Sequence, residues 1–418
     1  MSSISPAEES LDVPPADGIV APLRPTGTAF GEGRGGSPTG TPPDPSPAHD
    51  LPMLESLRAM AAGLVLLTHV GFDSGASLRD PWGAWLARGD AGVAVFFVLS
   101  GFLLMRPWVL AAAGRRGPVR VRAYLWRRAV RLIPGYLTAL AGLWLLVPSA
   151  RRAAGDVWLS AATLTTTVVG RPLLPGFGHT WSLGTEVSFY LALPLLGLAV
   201  VGRGRANNGR RWRAPLVLAA IATGALIWRV LLLGDAHSPR GAGYWLPGHL
   251  DWFGAGMFLA WIRERGRSRS ADLLRAAAAA PGAWLVIAGS TYWAATTPLA
   301  GPRGLSLPST AELVTKHLLY LIFAVALLVP VAFADPDGRL ARLLCRRPLV
   351  WAGTISYGFF LWHVIVLTAV RERWGIEPFS GHFLPLLVGV TGLSLIAATG
   401  SWYLVERPVG RRLRGIVP

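Results

Sequence analysis

Residues 92–104 read GVAVFFVLSGFLL, thirteen residues without a charged side chain. With its apolar flanks this run predicts a helix over 90–109 that is long enough to cross the hydrocarbon core of a bilayer. The same character extends over the 418-residue chain, in which 52% of the residues are hydrophobic and 15% are charged. Soluble domains average about 25% charged residues. The composition therefore favours a membrane protein over a soluble enzyme.

Nine further apolar stretches follow the same pattern beyond residue 50. Each is close to the length of about 17–25 residues that a membrane-crossing helix needs. The ten predicted spans are 53–72, 90–109, 132–149, 181–202, 214–233, 247–262, 281–298, 313–334, 349–370 and 383–405. A shorter apolar stretch at 157–170 is interpreted as re-entrant or interfacial. The pattern predicts an all-α, polytopic membrane helix bundle with about ten transmembrane helices.

Arginine is concentrated in every second loop between the predicted spans. The chain has 40 Lys+Arg against 23 Asp+Glu, and Lys316 is its only lysine. Because cytoplasmic loops carry the excess of basic residues, both termini are predicted to be cytoplasmic. The basic residues are divided among separate loops, so the sequence offers nucleic acid no continuous basic surface. Membrane lipid is an expected partner, and nucleic acid is not.

The first fifty residues differ from the rest of the chain. Residues 1–50 hold ten prolines, seven glycines and a net charge of −5. Such a composition predicts a disordered cytoplasmic tail. It has neither the basic nor the apolar region of a signal peptide. We expect a membrane domain over 51–409 and a short basic tail over 410–418.

Two polar residues share one face of the first predicted span. Arg58 and His69 are eleven residues apart. In a helix this is three turns plus about 20°, so both side chains project from one face about 16 Å apart. A charge at the centre of a membrane helix costs about 2.5–3.5 kcal/mol, which makes such residues candidates for function. This face is predicted to join the cytoplasmic side to the outer half of the membrane.

Three arginines cluster before the third span. In RRAVRLIPGY (127–136), Arg131 follows Arg127 by four residues and Arg128 by three, which places it on the same helix face as both. Pro134 is predicted to end their helix. Grouped guanidinium groups suit phosphates. The alternative is an anchor to anionic lipid headgroups. Both interpretations stay open on the spacing alone.

Polar side chains also interrupt three other apolar spans. Ser100 and Gly101 form either a notch for close helix packing or part of a site. In HTWSLGTEVSFY (179–190), Glu186 lies at the membrane level of His69, so the two could form an acid–base pair; alternatively Glu186 satisfies a neighbouring helix or an arginine. His249, Asp251 and the segment SYGFFLWH (356–363) are expected to face an internal cavity; alternatively, His363 is hydrogen-bonded between helices.

The chain offers no metal or thiol motif. His69, His179, His249 and His363 are conceivable ligands, yet no HExxH or HxxxH spacing occurs, so a metal site is not expected. Cys345 is the only cysteine and lies in a basic loop without a nearby candidate base. This excludes a disulfide framework and makes a catalytic thiol an unfavoured reading.

Taken in order, these segments resemble the membrane-bound acyltransferase 3 family of integral-membrane O-acyltransferases. The resemblance covers residues 54–408. The matching segments are LRAMAAGLVLLTH (57–69), GVAVFFVLSGFLL (92–104), RRAVRLIPGY (127–136), WSLGTEVSFY (181–190), SYGFFLWH (356–363) and the triplet ERP at 406–408. Glu55 and Ser56 depart from the family pattern, which often has an Asp-Gly pair before the arginine.

The resemblance implies a reaction and a set of residue roles. The donor would be acyl-CoA, chiefly acetyl-CoA, used as a co-substrate without a permanently bound cofactor. The acceptor would be a hydroxyl of a carbohydrate or glycoside. His69 would be the catalytic residue. From the placement of the residues we further expect that His69 acts as the base or carries the acyl group, that Glu186 orients it or the acceptor, and that Arg58 steadies the donor's phosphates or lines the channel. The substrate-binding residues would be Arg127, Arg128, Arg131, Ser100, Trp181, Ser182, Tyr357 and His363.

Two other functions remain compatible with the sequence. The acceptor could be a macrolide or another glycosylated secondary metabolite. Ten spans with buried His, Glu and Asp could also form a proton-coupled transporter. Each reading places the protein in the plasma membrane of a bacterial cell.

Overall fold

Helices form the regular structure of the protein in a computed structural model that describes residues 52–79, 81–202, 212–232, 241–266 and 268–416. Within these ranges there is no β-strand. Their α-helices are α1 (Met53–Asp73), α2 (Gly83–Ala87), α3 (Ala91–Ala112), α4 (Val121–Leu146), α5 (Pro148–Arg151), α6 (Gly155–Ala162), α7 (Trp181–Val201), α8 (Arg213–Leu232), α9 (Leu250–Glu264), α10 (Arg269–Ala278), α11 (Pro281–Thr296), α12 (Thr310–Ala332), α13 (Arg339–Leu344), α14 (Arg347–Trp374), α15 (Phe383–Ser401) and α16 (Arg407–Arg414). The predicted all-α helix bundle is confirmed.

Eight helical segments among the described residues are long and apolar enough to cross a membrane. They contain α1, α3, α4, α7, α8, α12, α14 and α15. A ninth would form if α10 and α11, which meet at an angle of 83°, were counted as one broken span. The number is therefore lower than the predicted ten.

The predicted span at 247–262 accounts for part of this difference. A 3₁₀ turn at Leu246–His249 delays the start of α9, which has 15 residues. At 1.5 Å per residue this helix is about 22 Å long, short of the hydrocarbon core of about 30 Å. Most of its residues are buried. The apolar composition of α9 thus reflects packing inside the bundle.

The remaining predictions concern the short apolar stretch at 157–170, the boundary at residue 409 and the chain termini. The stretch 157–170 overlaps α6 over 157–162, and this eight-residue helix is too short to cross a membrane. The predicted boundary at residue 409 falls inside α16. The predicted tail at 1–50 and most of the basic loop at 203–213 lie outside the described residues. The cytoplasmic location of both termini stays a prediction.

Helix α3 lies at the centre of the bundle, where it contacts α1, α7, α9 and α12. Two glycines allow α3 and α9 to approach closely. A Cβ atom added at Gly101 would lie 2.1 Å from the Phe253 carbonyl oxygen, and one added at Gly256 would lie 2.0 Å from the Val98 carbonyl oxygen. The sequence motif at Gly101 is therefore a packing notch.

Prolines occur inside four of the long helices, namely α3, α4, α7 and α12. The prediction that Pro134 ends a helix is wrong, because α4 continues through it to Leu146. Proline has no N–H to donate to the Val130 carbonyl, four residues earlier. Membrane helices tolerate an internal proline because neighbouring groups can satisfy the backbone that it disturbs.

Candidate active site

His69 lies near the end of α1, and its ring is held by two neighbours. Its Nδ1 is 2.8 Å from the Val65 carbonyl oxygen and 3.1 Å from Nε2 of His363 on α14. The side chain is half-buried. His69 therefore faces the interior of the bundle and retains some accessible surface.

The backbone carbonyl groups assign the protonation of both imidazoles. Nδ1 of His363 is 2.7 Å from the Phe360 carbonyl oxygen. A nitrogen so close to a carbonyl oxygen must carry the hydrogen, because two lone pairs would repel. Nε2 of His363 is then the unprotonated nitrogen and accepts from Nδ1–H of His69. This leaves Nε2 of His69 with a free lone pair.

A third imidazole, that of His179, completes a histidine group at this end of the bundle. Its ring centre is 5.0 Å from that of His363 and 6.1 Å from that of His69. His179 and His363 are 5% and 1% exposed. Only His69 of the three retains more than slight surface, so a substrate can reach that imidazole most easily. Among the described residues, no group of three or more His, Cys, Asp or Glu side chains has a geometry able to hold a metal ion.

Glu186 is bonded to α3 and to its own helix. Its Oε1 accepts a hydrogen bond of 2.5 Å from Ser100 Oγ and one of 2.8 Å from Tyr190 OH. The structure records no hydrogen bond between Glu186 and His69, both of which it describes. The predicted direct pair of Glu186 and His69 is therefore corrected. Glu186 is hydrogen-bonded to Ser100 and Tyr190, and the side chain that contacts the His69 ring is His363.

Arg58, Arg128 and Arg131 form an arginine cluster at the other end of α1. The cluster is half-buried, and Arg131 interacts electrostatically with the other two guanidinium groups. Arg58 Nη1 makes an ion pair with Glu55 Oε1 at 3.0 Å. Arg127, predicted to join the same face, is exposed. The structure thus separates Arg127 from the other two arginines of the motif by their exposure.

Tyr190 links Glu186 to the arginine cluster. Its hydroxyl donates to Glu186, and its ring position brings it within electrostatic range of Arg128 and Arg131. Tyr190 was not singled out in the sequence, although its spacing of four residues from Glu186 places both on one helix face. Glu186 therefore belongs to a network that extends toward the arginine cluster.

The other predicted substrate-binding side chains have contacts within the protein. Tyr357 OH donates to the Leu132 carbonyl at 2.8 Å, and Ser182 Oγ donates to the His179 carbonyl at 3.1 Å. Trp181 packs against Tyr244, with ring centres 4.8 Å apart. These contacts give all three side chains a packing role, and Ser182 helps to hold the segment that carries His179.

Two buried acidic groups lie outside this network of predicted residues. Asp251 Oδ2 is 2.6 Å from His317 Nε2, so this buried pair joins α9 to α12. The expectation that Asp251 faces a cavity stays a prediction. Glu406 belongs to a π-helical segment, Trp402–Glu406, accepts a hydrogen bond from Ser401 and interacts with Arg131. The triplet at 406–408 indicated Glu406 in the sequence, but nothing there indicated its approach to Arg131.

Comparisons with known proteins identify relatives of this chain. The family model described as an acyltransferase domain matches residues 52–405. BcsY of Komagataeibacter xylinus, provisionally named a membrane-bound transacylase, is 27% identical over 388 residues, which cover 87% of this chain and 86% of BcsY. YrhL of Bacillus subtilis, provisionally named a peptidoglycan O-acetyltransferase, is 26% identical over 86% of this chain and 55% of YrhL.

A third relative, like YrhL, is matched over only part of its own length. The O-acetyltransferase OatA of Staphylococcus aureus is 22% identical over 87% of this chain and 57% of OatA. The chain thus spans a little over half the length of YrhL and OatA. No solved structure matches the chain in the corresponding search. Since the family model covers most of the chain and the membrane helices fall within it, the protein is an integral membrane protein that belongs to the acyltransferase 3 family.

Proposed function

We propose that the protein is an O-acyltransferase that moves an acyl group, acetyl in the first instance, from acyl-CoA to a hydroxyl group of a carbohydrate or glycoside. The observation that carries this proposal is the state of His69. Its Nδ1 is committed to Val65 and His363, its Nε2 is free, and its ring is the most accessible of three neighbouring imidazoles. Such a nitrogen is suited to take a proton from an alcohol.

His69 would act as a general base in the transfer step. Nε2 accepts the proton of the acceptor hydroxyl while that oxygen attacks the thioester carbonyl. The tetrahedral intermediate then expels the CoA thiolate, which recovers the proton from His69. A positioned base of this kind contributes about 10²–10⁴ in rate. An acyl group carried briefly on Nε2 would use the same nitrogen, and a burst of CoA release without acceptor would reveal it.

The arginine cluster would bind the donor. Arg58, Arg128 and Arg131 place three positive charges in a half-buried position, with the ion pair from Glu55 to Arg58 beside them. Phosphate groups form strong charge-assisted hydrogen bonds with guanidinium groups, and CoA carries several phosphates. Arg58 and His69 share α1, eleven residues or about 16 Å apart. The donor's arm would bridge that distance between the phosphates and Nε2.

The relatives guide the choice of acceptor and location. YrhL is named for peptidoglycan and OatA for O-acetyl transfer. We therefore propose a surface carbohydrate as the acceptor and the bacterial plasma membrane as the location. With cytoplasmic termini, the arginine cluster would face the cytoplasm, where acyl-CoA is made. A glycosylated secondary metabolite would fit the same chemistry and belongs in the same acceptor panel.

The test uses the purified full-length protein in lipid nanodiscs with radiolabelled acetyl-CoA and a panel of peptidoglycan fragments, oligosaccharides and glycosides. We expect label on a hydroxyl group of one acceptor class. His69→Asn should lower this transfer about 10²-fold or more, the usual contribution of a general base. The matched control is His382→Asn, because His382 is exposed and lies outside the histidine group.

The outcomes separate the candidate functions. Normal transfer by the His69→Asn protein would remove His69 from the mechanism. Movement of a solute across the membrane, driven by a proton gradient and without label on any acceptor, would support a proton-coupled transporter instead.

A further inference from the structure

We propose that His363 is a positioning residue that, together with the Val65 carbonyl, holds the His69 ring with its hydrogen on Nδ1 and so presents the Nε2 lone pair to the acceptor hydroxyl. The inference rests on the proposed function and deepens it. It also changes the role expected of His363, from contact with substrate to contact with the base.

The first support is the pair of hydrogen bonds made by His363. Its Nδ1–H donates to the Phe360 carbonyl oxygen at 2.7 Å, one turn earlier on α14. This bond fixes the ring and leaves Nε2 as the acceptor. Nε2 lies 3.1 Å from His69 Nδ1. Both nitrogens of His363 are thus in use, and neither is left for a substrate.

The second support is burial. His363 is 1% exposed, and the rings of Phe360 and His179 lie 5.8 Å and 5.0 Å from its ring centre. An imidazole enclosed in this way changes position little, because it would have to move the packed rings around it. His363 therefore provides a fixed acceptor on α14 for a base on α1.

The third support concerns which ring nitrogen of His69 carries the hydrogen. A neutral imidazole can carry its hydrogen on either nitrogen, and a hydrogen bond to one nitrogen decides between them. The single hydrogen on Nδ1 is shared between the Val65 carbonyl at 2.8 Å and Nε2 of His363 at 3.1 Å. The Val65 carbonyl lies on the same helix as His69 and can hold this hydrogen only in one ring orientation. The acceptor on α14 supplies a second, independent direction. Loss of an orienting partner of a catalytic imidazole can lower kcat by up to about 10⁴.

Two substitutions of similar size separate positioning from packing. In His363→Gln the side-chain amide reaches the position of the imidazole Nε2, so its oxygen can accept from His69. In His363→Asn the shorter amide reaches only the position of Nδ1, so it can bond to Phe360 but not to His69. We expect kcat to fall about 10²-fold or more in His363→Asn and clearly less in His363→Gln. The acyl-CoA KM should change little in either protein, because the donor's phosphates bind at the other end of α1.

A measurement that needs no turnover tests the tautomer itself. Protein with ¹⁵N-labelled histidine gives separate NMR signals for protonated and unprotonated ring nitrogens, and the His69 signals are those lost in His69→Asn. We expect wild-type and His363→Gln proteins to show hydrogen on Nδ1 of His69, and His363→Asn to show hydrogen on Nε2 in a substantial fraction of molecules.

Each failure has a distinct meaning. Equal kcat in the Gln and Asn proteins, or an unchanged His69 tautomer in His363→Asn, would overturn the positioning role even if wild-type protein transfers acyl groups. A wild-type protein that transfers no acyl group would overturn the proposed function, whereas the NMR spectra would still decide whether His363 sets the tautomer.

Discussion

At the scale of single residues, the structure divides the arginines of one short motif. Arg128 and Arg131 lie half-buried near Arg58, whereas Arg127, which has other contacts, is exposed. The two interpretations left open by the sequence can therefore both apply, to different side chains. Arg128 and Arg131 suit a bound phosphate, and Arg127 suits the headgroup region of the membrane.

This division predicts unequal effects of three matched substitutions. Arg128→Gln and Arg131→Gln should each raise the acyl-CoA KM, because a hydrogen bond to a charged group contributes about 1.5–3 kcal/mol, or roughly 10-fold to 150-fold. Arg127→Gln should raise it by less than about threefold, as expected for an exposed charge. The measurement is acyl transfer at varied acetyl-CoA and saturating acceptor. Equal KM values for the three variants and wild type would assign all three arginines to lipid.

At the scale of helices, close approach determines which residues meet. Gly101 and Gly256 bring the backbones of α3 and α9 together, while Ser100 beside the notch reaches Glu186 on α7. The position of Glu186 thus depends partly on the close contact of α3 and α9 that these two glycines allow. A larger residue at either glycine would push the helices apart.

The crossing can be tested with two Gly→Ala substitutions. Gly256→Ala should destabilise the protein by about 1–3 kcal/mol, as overpacking does, because the new Cβ atom would meet the Val98 backbone. Gly224→Ala, on α8 with nothing within 4 Å, should be neutral or slightly stabilising. Thermal unfolding in the same detergent compares the two. A Tm equal to that of wild type in Gly256→Ala would show that the helices can separate without loss.

At the scale of the whole molecule, the alternation of basic loops predicts which side of the membrane the arginine cluster and the histidine group face. If the termini are cytoplasmic, the arginine cluster faces the cytoplasm and the histidine group lies toward the outer surface. The acyl group would then leave its donor on one side and meet its acceptor nearer the other. An inverted orientation would bring the acceptor hydroxyl to the cytoplasmic side.

The single cysteine provides a direct test of this orientation. Cys345 is exposed and lies between α13 and α14 at the predicted cytoplasmic side. A membrane-impermeant maleimide should label it only after the cell membrane is opened. As a matched control, Ser380→Cys in a Cys345→Ser background places an exposed thiol after the other end of α14 and should react in intact spheroplasts. The reverse labelling pattern would invert the topology.

Much of the fold follows from local pattern, and much of the site does not. Hydropathy located the long helices because lipid contact imposes long apolar runs. It misjudged α9 because burial in protein selects similar residues. The Pro134 prediction was wrong because a membrane helix tolerates a proline that would end a helix in a soluble protein. Spacing placed Arg58 and His69 on one face. The contact between His69 and His363 joins residues 294 positions apart, and only tertiary structure reveals it.

The distribution of prolines has a consequence for movement. Proline lies within α3, α4, α7 and α12, whereas α1 has none and α14 has one only at its start. Helices bend most readily at proline. The two helices that carry the paired imidazoles, α1 and α14, are therefore stiff, whereas their neighbours α3, α4 and α12 can bend. Opening a path for a bulky sugar would fall to these proline-containing helices, while the imidazole pair on α1 and α14 keeps its alignment.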